Sequence, residues 1–225
     1  YPPNVPKLKK LYSDLGSKNG DGIVFCSSDK VPNDPSFIHA PLINKGKLSY
    51  QCTILAMQLF PDHSGYLTFG DDVLLSPRRL ATLDSSTMWL EGKDITFKFS
   101  TSRPNEQGGP WALWSRLIPM GYRASAKVES DPKLAPEYAK QLKTVGWRHG
   151  AADVFYFPKG AREEFLSLAP LFLRHQVYFS NAVPTMIQLI STKVGVAITP
   201  LVGSSVWDVP DRTDFAKYLP KKPHD

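Results

Sequence analysis

The chain has 225 residues, of which 42% are hydrophobic, so it can bury one large core in one domain or two small ones. Its formal charge of +6 is modest and its Lys and Arg residues are dispersed. This charge pattern argues against a dedicated nucleic-acid-binding protein and suits an enzyme that holds a diphosphate. No apolar run approaches the ~18 residues that a membrane span needs.

Tyr1-Pro2-Pro3 is typical of a segment taken from a longer protein, so we expect any leader or membrane anchor to lie outside this chain. Two cysteines, Cys26 and Cys52, exclude a disulfide-rich scaffold and a cysteine-based zinc site. They predict either one disulfide in an oxidising compartment or two buried free thiols.

The first third of the chain alternates predicted strands and helices. We expect a short helix over Pro6–Leu15, strands at Ile23–Cys26 and Phe37–His39, a helix over Leu48–Phe60, and a strand at Tyr66–Phe69. This order is typical of an α/β fold with a mixed, mainly parallel sheet flanked by helices. We place three apolar strands near the middle of the sheet: Ile23–Cys26, Tyr66–Phe69 and Val154–Phe157.

The rest of the chain continues the alternation. The predicted elements are a short helix at Pro77–Leu83, strands at Met88–Leu90 and Ile95–Phe99, a polar loop at Thr101–Pro110, helices at Trp111–Leu117 and Leu134–Val145, a strand at Ala152–Phe157, a helix at Arg162–His175, a strand at Gln176–Phe179, a helix at Ala182–Thr192 and a strand at Val194–Thr199. A polar tail, Ser204–Asp225, follows.

Two adjacent carboxylates, Asp71 and Asp72, lie between the apolar runs Tyr66–Phe69 and Val73–Leu75. Carboxylates at the end of a buried strand are costly unless a cation, a donor or water meets them. Mg²⁺ and Mn²⁺ prefer carboxylate oxygens and are often shared with substrate phosphates. Gly70-Asp71-Asp72 therefore indicates either a metal site or an ordinary turn, because Gly and Asp also favour turns.

Four further residues are candidates for a site. Asp153 is the only charge that enters an apolar strand, where it would serve as a general base, bind a substrate hydroxyl, or simply accept hydrogen bonds from loop amides. Trp111 and Trp147 flank loops and would either stack on a sugar or base, or pack in the core. Arg78 follows the acidic pair and would either neutralise phosphate or be solvated.

Three motifs occur in the same order as in a known family. They are Gly65-Tyr-Leu-x-x-Gly-Asp-Asp-Val-Leu-Leu, Asp153-Val-Phe-Tyr-Phe-Pro and Ala182-Val-Pro-Thr. With them the chain resembles the nucleotide-diphospho-sugar transferases of the GT-A fold, in particular the STELLO-like group. The resemblance implies a single glycosyltransferase-like domain over residues 1–225. It also implies that Asp71 and Asp72 bind Mn²⁺ or Mg²⁺ and the diphosphate, with His224 as a metal or phosphate ligand.

The resulting prediction is a metal-dependent glycosyltransferase of the Golgi or ER lumen. It would move a sugar from a nucleotide-sugar donor to a hydroxyl of a glycan or protein acceptor, with Asp153 as base and the tail 204–225 as a lid. One alternative is a non-catalytic domain of the same fold that binds a glycan or protein partner. Ser180-Asn181 favours it, because the family leads us to expect an acid there. Another is a metal-dependent phosphoesterase that uses Asp71 and Asp72.

Overall fold

The computed structural model of the protein describes residues 24–29, 37–43, 47–70, 73, 75–92, 97–99 and 112–201. Its helices are α1 (Tyr50–Leu59), α2 (Pro77–Leu80), α3 (Ala112–Glu129), α4 (Pro136–Val145), α5 (Arg162–Arg174) and α6 (Phe179–Val194). Its strands are β1 (Phe25–Ser27), β2 (Phe37–His39), β3 (Gly65–Phe69), β4 (Met88–Glu91), β5 (Phe97–Phe99), β6 (Trp147–His149), β7 (Val154–Pro158) and β8 (Ile198–Leu201). The predicted helix Pro6–Leu15, the loop Thr101–Pro110 and the tail Ser204–Asp225 lie outside the described residues.

The protein is mixed α/β, and its largest described sheet has four strands in the order β3-β7-β4-β8. β4 and β8 are parallel, whereas β7 is antiparallel to both of its neighbours. The sheet is therefore mixed, with three strands in one direction and β7 in the other. All five residues of β7 are buried, as its apolar run and its position between two strands require.

The central position predicted from the apolar runs is confirmed for β7 and wrong for two other strands. β3 lies at one end of the four-stranded sheet, and only its Tyr66 is fully buried. β1 pairs in parallel with β2 in a separate two-stranded sheet. An apolar run predicts that a strand is covered on both faces, but all residues of β1 and most of β3 are only half-buried, because one lies in a separate small sheet and the other at the end of the larger sheet.

Helix α6 is the main buried helix, and every residue from Ser180 to Ile187 is buried. It packs against α4, α5, β4, β6 and β8. Pro184 has no backbone N–H, so it cannot bond the Ser180 carbonyl four residues earlier. The backbone N–H of Gly150 takes that place, at 3.0 Å from the Ser180 oxygen. A second hydrogen bond joins α6 to β6, because the Thr185 hydroxyl accepts from the Arg148 N–H at 2.9 Å.

Three predicted elements near these segments are corrected. The strand predicted at Gln176–Phe179 is not formed, because Gln176 has a positive φ of 54° and α6 begins at Phe179. Because α6 runs on to Val194 and ends at Gly195, the last strand is Ile198–Leu201 rather than Val194–Thr199. Helix α3 extends to Glu129, well beyond the predicted end at Leu117.

Candidate functional site

The antiparallel pairing of β3 and β7 brings two predicted site segments together. Phe69 is the register partner of Val154, so the end of β3 lies beside the start of β7. One residue further out, the Gly70 N–H donates to the Asp153 carbonyl at 3.1 Å. Gly70 directly precedes Asp71 and Asp72 in the sequence. The structure therefore places Asp153 beside the residue from which the acidic pair continues.

Asp153 is partly buried and lies in a bend just before β7. Tyr178, the residue before α6, lies near it. The pKa of the Tyr178 phenol is raised mainly by burial, and the negative charge of Asp153 raises it further. A hydrogen bond with the Ser180 side chain opposes this rise in the pKa. A carboxylate and two hydroxyl groups therefore share one neighbourhood at the end of the sheet, and such groups suit hydrogen bonds with sugar hydroxyls.

Ser180 and Asn181 occupy the position where the family resemblance implies an acid. Both side chains are buried, with 6% and 7% exposure. Asn181 packs closely against α3, since a Cβ atom added at Gly121 would lie 2.9 Å from its Nδ2 atom. Asn181 thus serves the contact between α3 and α6, Ser180 shares a hydrogen bond with Tyr178, and neither side chain is a carboxylate. Asp153 is thus the predicted acid that the structure places at this end of β7.

The structure corrects the ligand-binding role predicted for Trp147. Its side chain is 1% exposed, and its ring centroid lies 5.4 Å from that of Phe172. Its indole N–H donates to Glu129 Oε1 at 2.6 Å. A ring enclosed in this way has no face open to a sugar or a base, so Trp147 is a core residue.

The other predicted site residues fall largely outside the described part of the chain. Asp71, Asp72, Trp111 and His224 are not among the described residues. Arg78 lies in α2, with only its backbone described. Among the residues that the structure describes, no group of three or more His, Cys, Asp or Glu side chains is placed to hold a metal ion.

Sequence reasoning missed β6 and with it His149. This histidine is 7% exposed, and burial lowers the pKa of its imidazole, which is therefore neutral at pH 7. It directly precedes Gly150, whose N–H bonds Ser180. The sequence signal was short: only three residues, Trp147-Arg148-His149, lie between Gly146 and Gly150, with an aromatic side chain followed by a charged one.

A comparison of the chain with protein-family models, with curated proteins and with solved structures found no match in any of the three. Within the described ranges, none of the helices is both long and apolar enough to cross a membrane.

Proposed function

We propose that the protein is a metal-dependent glycosyltransferase with a GT-A-like fold, which moves a sugar from a nucleotide-sugar donor to a hydroxyl acceptor. The observation that supports the proposal is the hydrogen bond from Gly70 to the Asp153 carbonyl. It brings the start of the acidic motif and the candidate base to the same end of the sheet, although they are far apart in the sequence. A donor site and an acceptor site must be adjacent in this way for transfer.

In this proposal Asp71 and Asp72 hold the diphosphate through Mn²⁺ or Mg²⁺, and His224 completes the set of ligands. The ion would neutralise the negative charge that develops on the leaving diphosphate. Arg78 would bind phosphate, and Trp111 would stack on the sugar or the base. Asp153 would accept the proton of the acceptor hydroxyl, with Tyr178 and Ser180 nearby to orient that hydroxyl.

The Golgi or ER lumen is the proposed location. Cys26 and Cys52 form a disulfide in the structure, with 5.9 Å between their Cα atoms. Structural disulfides are maintained in oxidising compartments and are rare in the cytosol. The acceptor in such a compartment would be a glycan or a protein.

Thermal melting with nucleotide sugars tests the proposal directly. We expect Mn²⁺ together with one uridine or guanosine diphosphate sugar to raise the Tm of the native chain, and Asp72→Asn to abolish that rise. Asp84→Asn is the matched control. Asp84 is a turn aspartate whose Oδ1 accepts from the Ser86 N–H at 2.8 Å, and its substitution should leave the ligand-induced rise unchanged.

The apo protein provides a second readout. Two adjacent carboxylates repel each other, so Asp72→Asn should leave the fold intact and raise its Tm without ligand, whereas the same change at a turn aspartate should be near neutral. If no nucleotide sugar shifts the native Tm and Asp72→Asn leaves the melt unchanged, then the acidic pair is a turn and the proposal fails.

A second candidate function is a non-catalytic domain of the same architecture that binds a glycan or a protein partner. The buried Ser180 and Asn181 favour it, because the family implies a carboxylate at their position. Glycan-array binding without any metal-dependent hydrolysis of nucleotide sugars would support this candidate. Hydrolysis or transfer that requires Mn²⁺ would exclude it.

A further inference from the structure

The disulfide between Cys26 and Cys52 joins two elements that pair with different parts of the protein. Cys26 is the middle residue of β1, and Cys52 lies in the first turn of α1. These are the only cysteines in the sequence, so the oxidised chain has no free thiol. The bond is therefore a direct covalent tie between the two-stranded sheet and a helix that packs on the main sheet.

Strand β1 has a small share of the hydrophobic core. Its three residues pair in parallel with those of β2, and all three are only half-buried. The ring centroids of Phe25 and Phe37 are 5.5 Å apart, and the Ala40 N–H donates to the Ser27 carbonyl at 2.8 Å. A two-stranded sheet is marginally stable by itself in water. β1 thus depends on its neighbours for its position.

Strand β2 and helix α1 have anchors that do not involve the disulfide. Ile38 of β2 is 6% exposed, and the Leu42 N–H just after β2 donates to the Gln51 side chain at 2.8 Å. In α1, the Tyr50 hydroxyl donates to the Val177 carbonyl at 2.9 Å, and the Thr53 and Thr68 hydroxyl oxygens are 2.7 Å apart. Helix α1 also packs against β3 and α5.

We propose that the Cys26–Cys52 disulfide is a redox-sensitive latch, and that its reduction releases β1 while α1 and the four-stranded sheet stay folded. The reductant is a small dithiol. One S–S bond breaks and two S–H bonds form on the protein, while the dithiol gives up two electrons and two protons and closes to its own disulfide. Local opening of β1 then no longer has to break a covalent bond.

Amide hydrogen exchange on the full chain tests this latch, with dithiothreitol as the reductant. After reduction we expect the amides of residues 25–27 to exchange faster by roughly tenfold or more, because β1 opens locally. The amides of 50–59, 65–69 and 154–158 should keep their rates. The double variant Cys26→Ser/Cys52→Ser should show fast exchange in β1 with or without dithiothreitol, which controls for any direct effect of the reagent.

Three results would overturn the proposal. The first is unchanged exchange at residues 25–27 after complete reduction, which would show that β1 is held without the bond. The second is an equal loss of protection in α1 and the main sheet, which would make the disulfide a support for the whole fold. The third is the detection of two free thiols in the denatured, unreduced chain.

Discussion

The indole N–H of Trp147 donates a hydrogen bond to the carboxylate of Glu129, with 2.6 Å between Nε1 and Oε1. Trp147 is buried at the start of β6, whereas Glu129 is exposed at the end of α3. The carboxylate thus accepts a hydrogen bond from the N–H of a buried indole. A hydrogen bond to a charged group contributes more than one between neutral groups.

Glu129→Ala should lower the free energy of unfolding by about 1–2 kcal/mol, because it removes the acceptor of a buried N–H. Glu129→Gln keeps an acceptor oxygen and should cost less than half as much. Urea denaturation followed by circular dichroism measures both. Equal losses in the two variants would mean that the charge of Glu129, rather than its acceptor role, stabilises the fold.

Gly65→Ala should destabilise the protein by about 1–3 kcal/mol or more, as overpacking of a filled site does. A Cβ atom at this position would overlap the phenol ring and hydroxyl of Tyr156 on the neighbouring strand. Tyr156 cannot easily move aside, since its ring is stacked on Trp89 with centroids 4.0 Å apart. Chemical denaturation gives the change in stability.

Gly160→Ala is the control for this substitution. A Cβ atom at Gly160 meets no heavy atom within 4 Å, and the backbone there has no positive φ. Its effect should lie within about 0.5 kcal/mol of zero. Comparable losses at Gly65 and Gly160 would show that the overlap with Tyr156 does not cause the effect.

The stability of the protein should depend on pH through His149. Burial lowers the pKa of this imidazole in the folded state, while the unfolded chain binds the proton near the usual pKa of ~6.5. The unfolded state therefore takes up the proton first as the pH falls. The free energy of unfolding should drop below about pH 6.5 and stop dropping once the pH passes the folded-state pKa.

Urea titrations of the native chain and of His149→Gln between pH 7.5 and pH 5 check this expectation. The variant cannot take up that proton, so its stability should fall less steeply over the same interval. Parallel profiles for the two proteins would assign the pH dependence to other groups.

Asp153→Asn should separate transfer from donor binding, if the proposed function holds. Removal of a general base typically lowers the rate by about 10²–10⁴-fold. The Mn²⁺-dependent rise in Tm with a nucleotide sugar should persist, because Asp153 acts on the acceptor side. Loss of both activity and the rise in Tm would instead place Asp153 in the donor site.

The types of many described elements could be predicted from local patterns. Apolar residues at three- and four-residue spacing predicted helix α1, although the face that it buries holds Tyr50, Ile54 and Met57 and leaves the expected Leu59 exposed. Strand β7 is a continuous apolar run closed by Pro158. The predicted strand at Gln176–Phe179 failed because the positive φ of Gln176 belongs to the C-terminal cap of α5, where the N–H of Val177 bonds the Phe172 carbonyl. Composition alone does not show that turn.

The geometry of the candidate site could be predicted only in part. Asp153 stood out as a charge at an apolar strand, but its contact with Gly70 depends on the antiparallel register of β3 and β7. No short hairpin turn joins β3 to β7, so the local sequence does not show that these two strands pair or in which register. The sequence left two roles open for Trp147, because a tryptophan near a loop has the same sequence signature whether its ring packs inward or faces a ligand.

The position of β7 between β3 and β4 has a consequence for the ribosome-bound chain. Both β3 and β4 leave the exit tunnel well before β7, which follows only after helices α3 and α4. At ~5–20 residues per second, several seconds pass between the synthesis of β3 and that of its partner β7. During that interval Tyr66, Trp89 and Leu90 lack the β7 residues that they face in the folded protein. The nascent chain should therefore be a better substrate for chaperones before residue 158 emerges than after it.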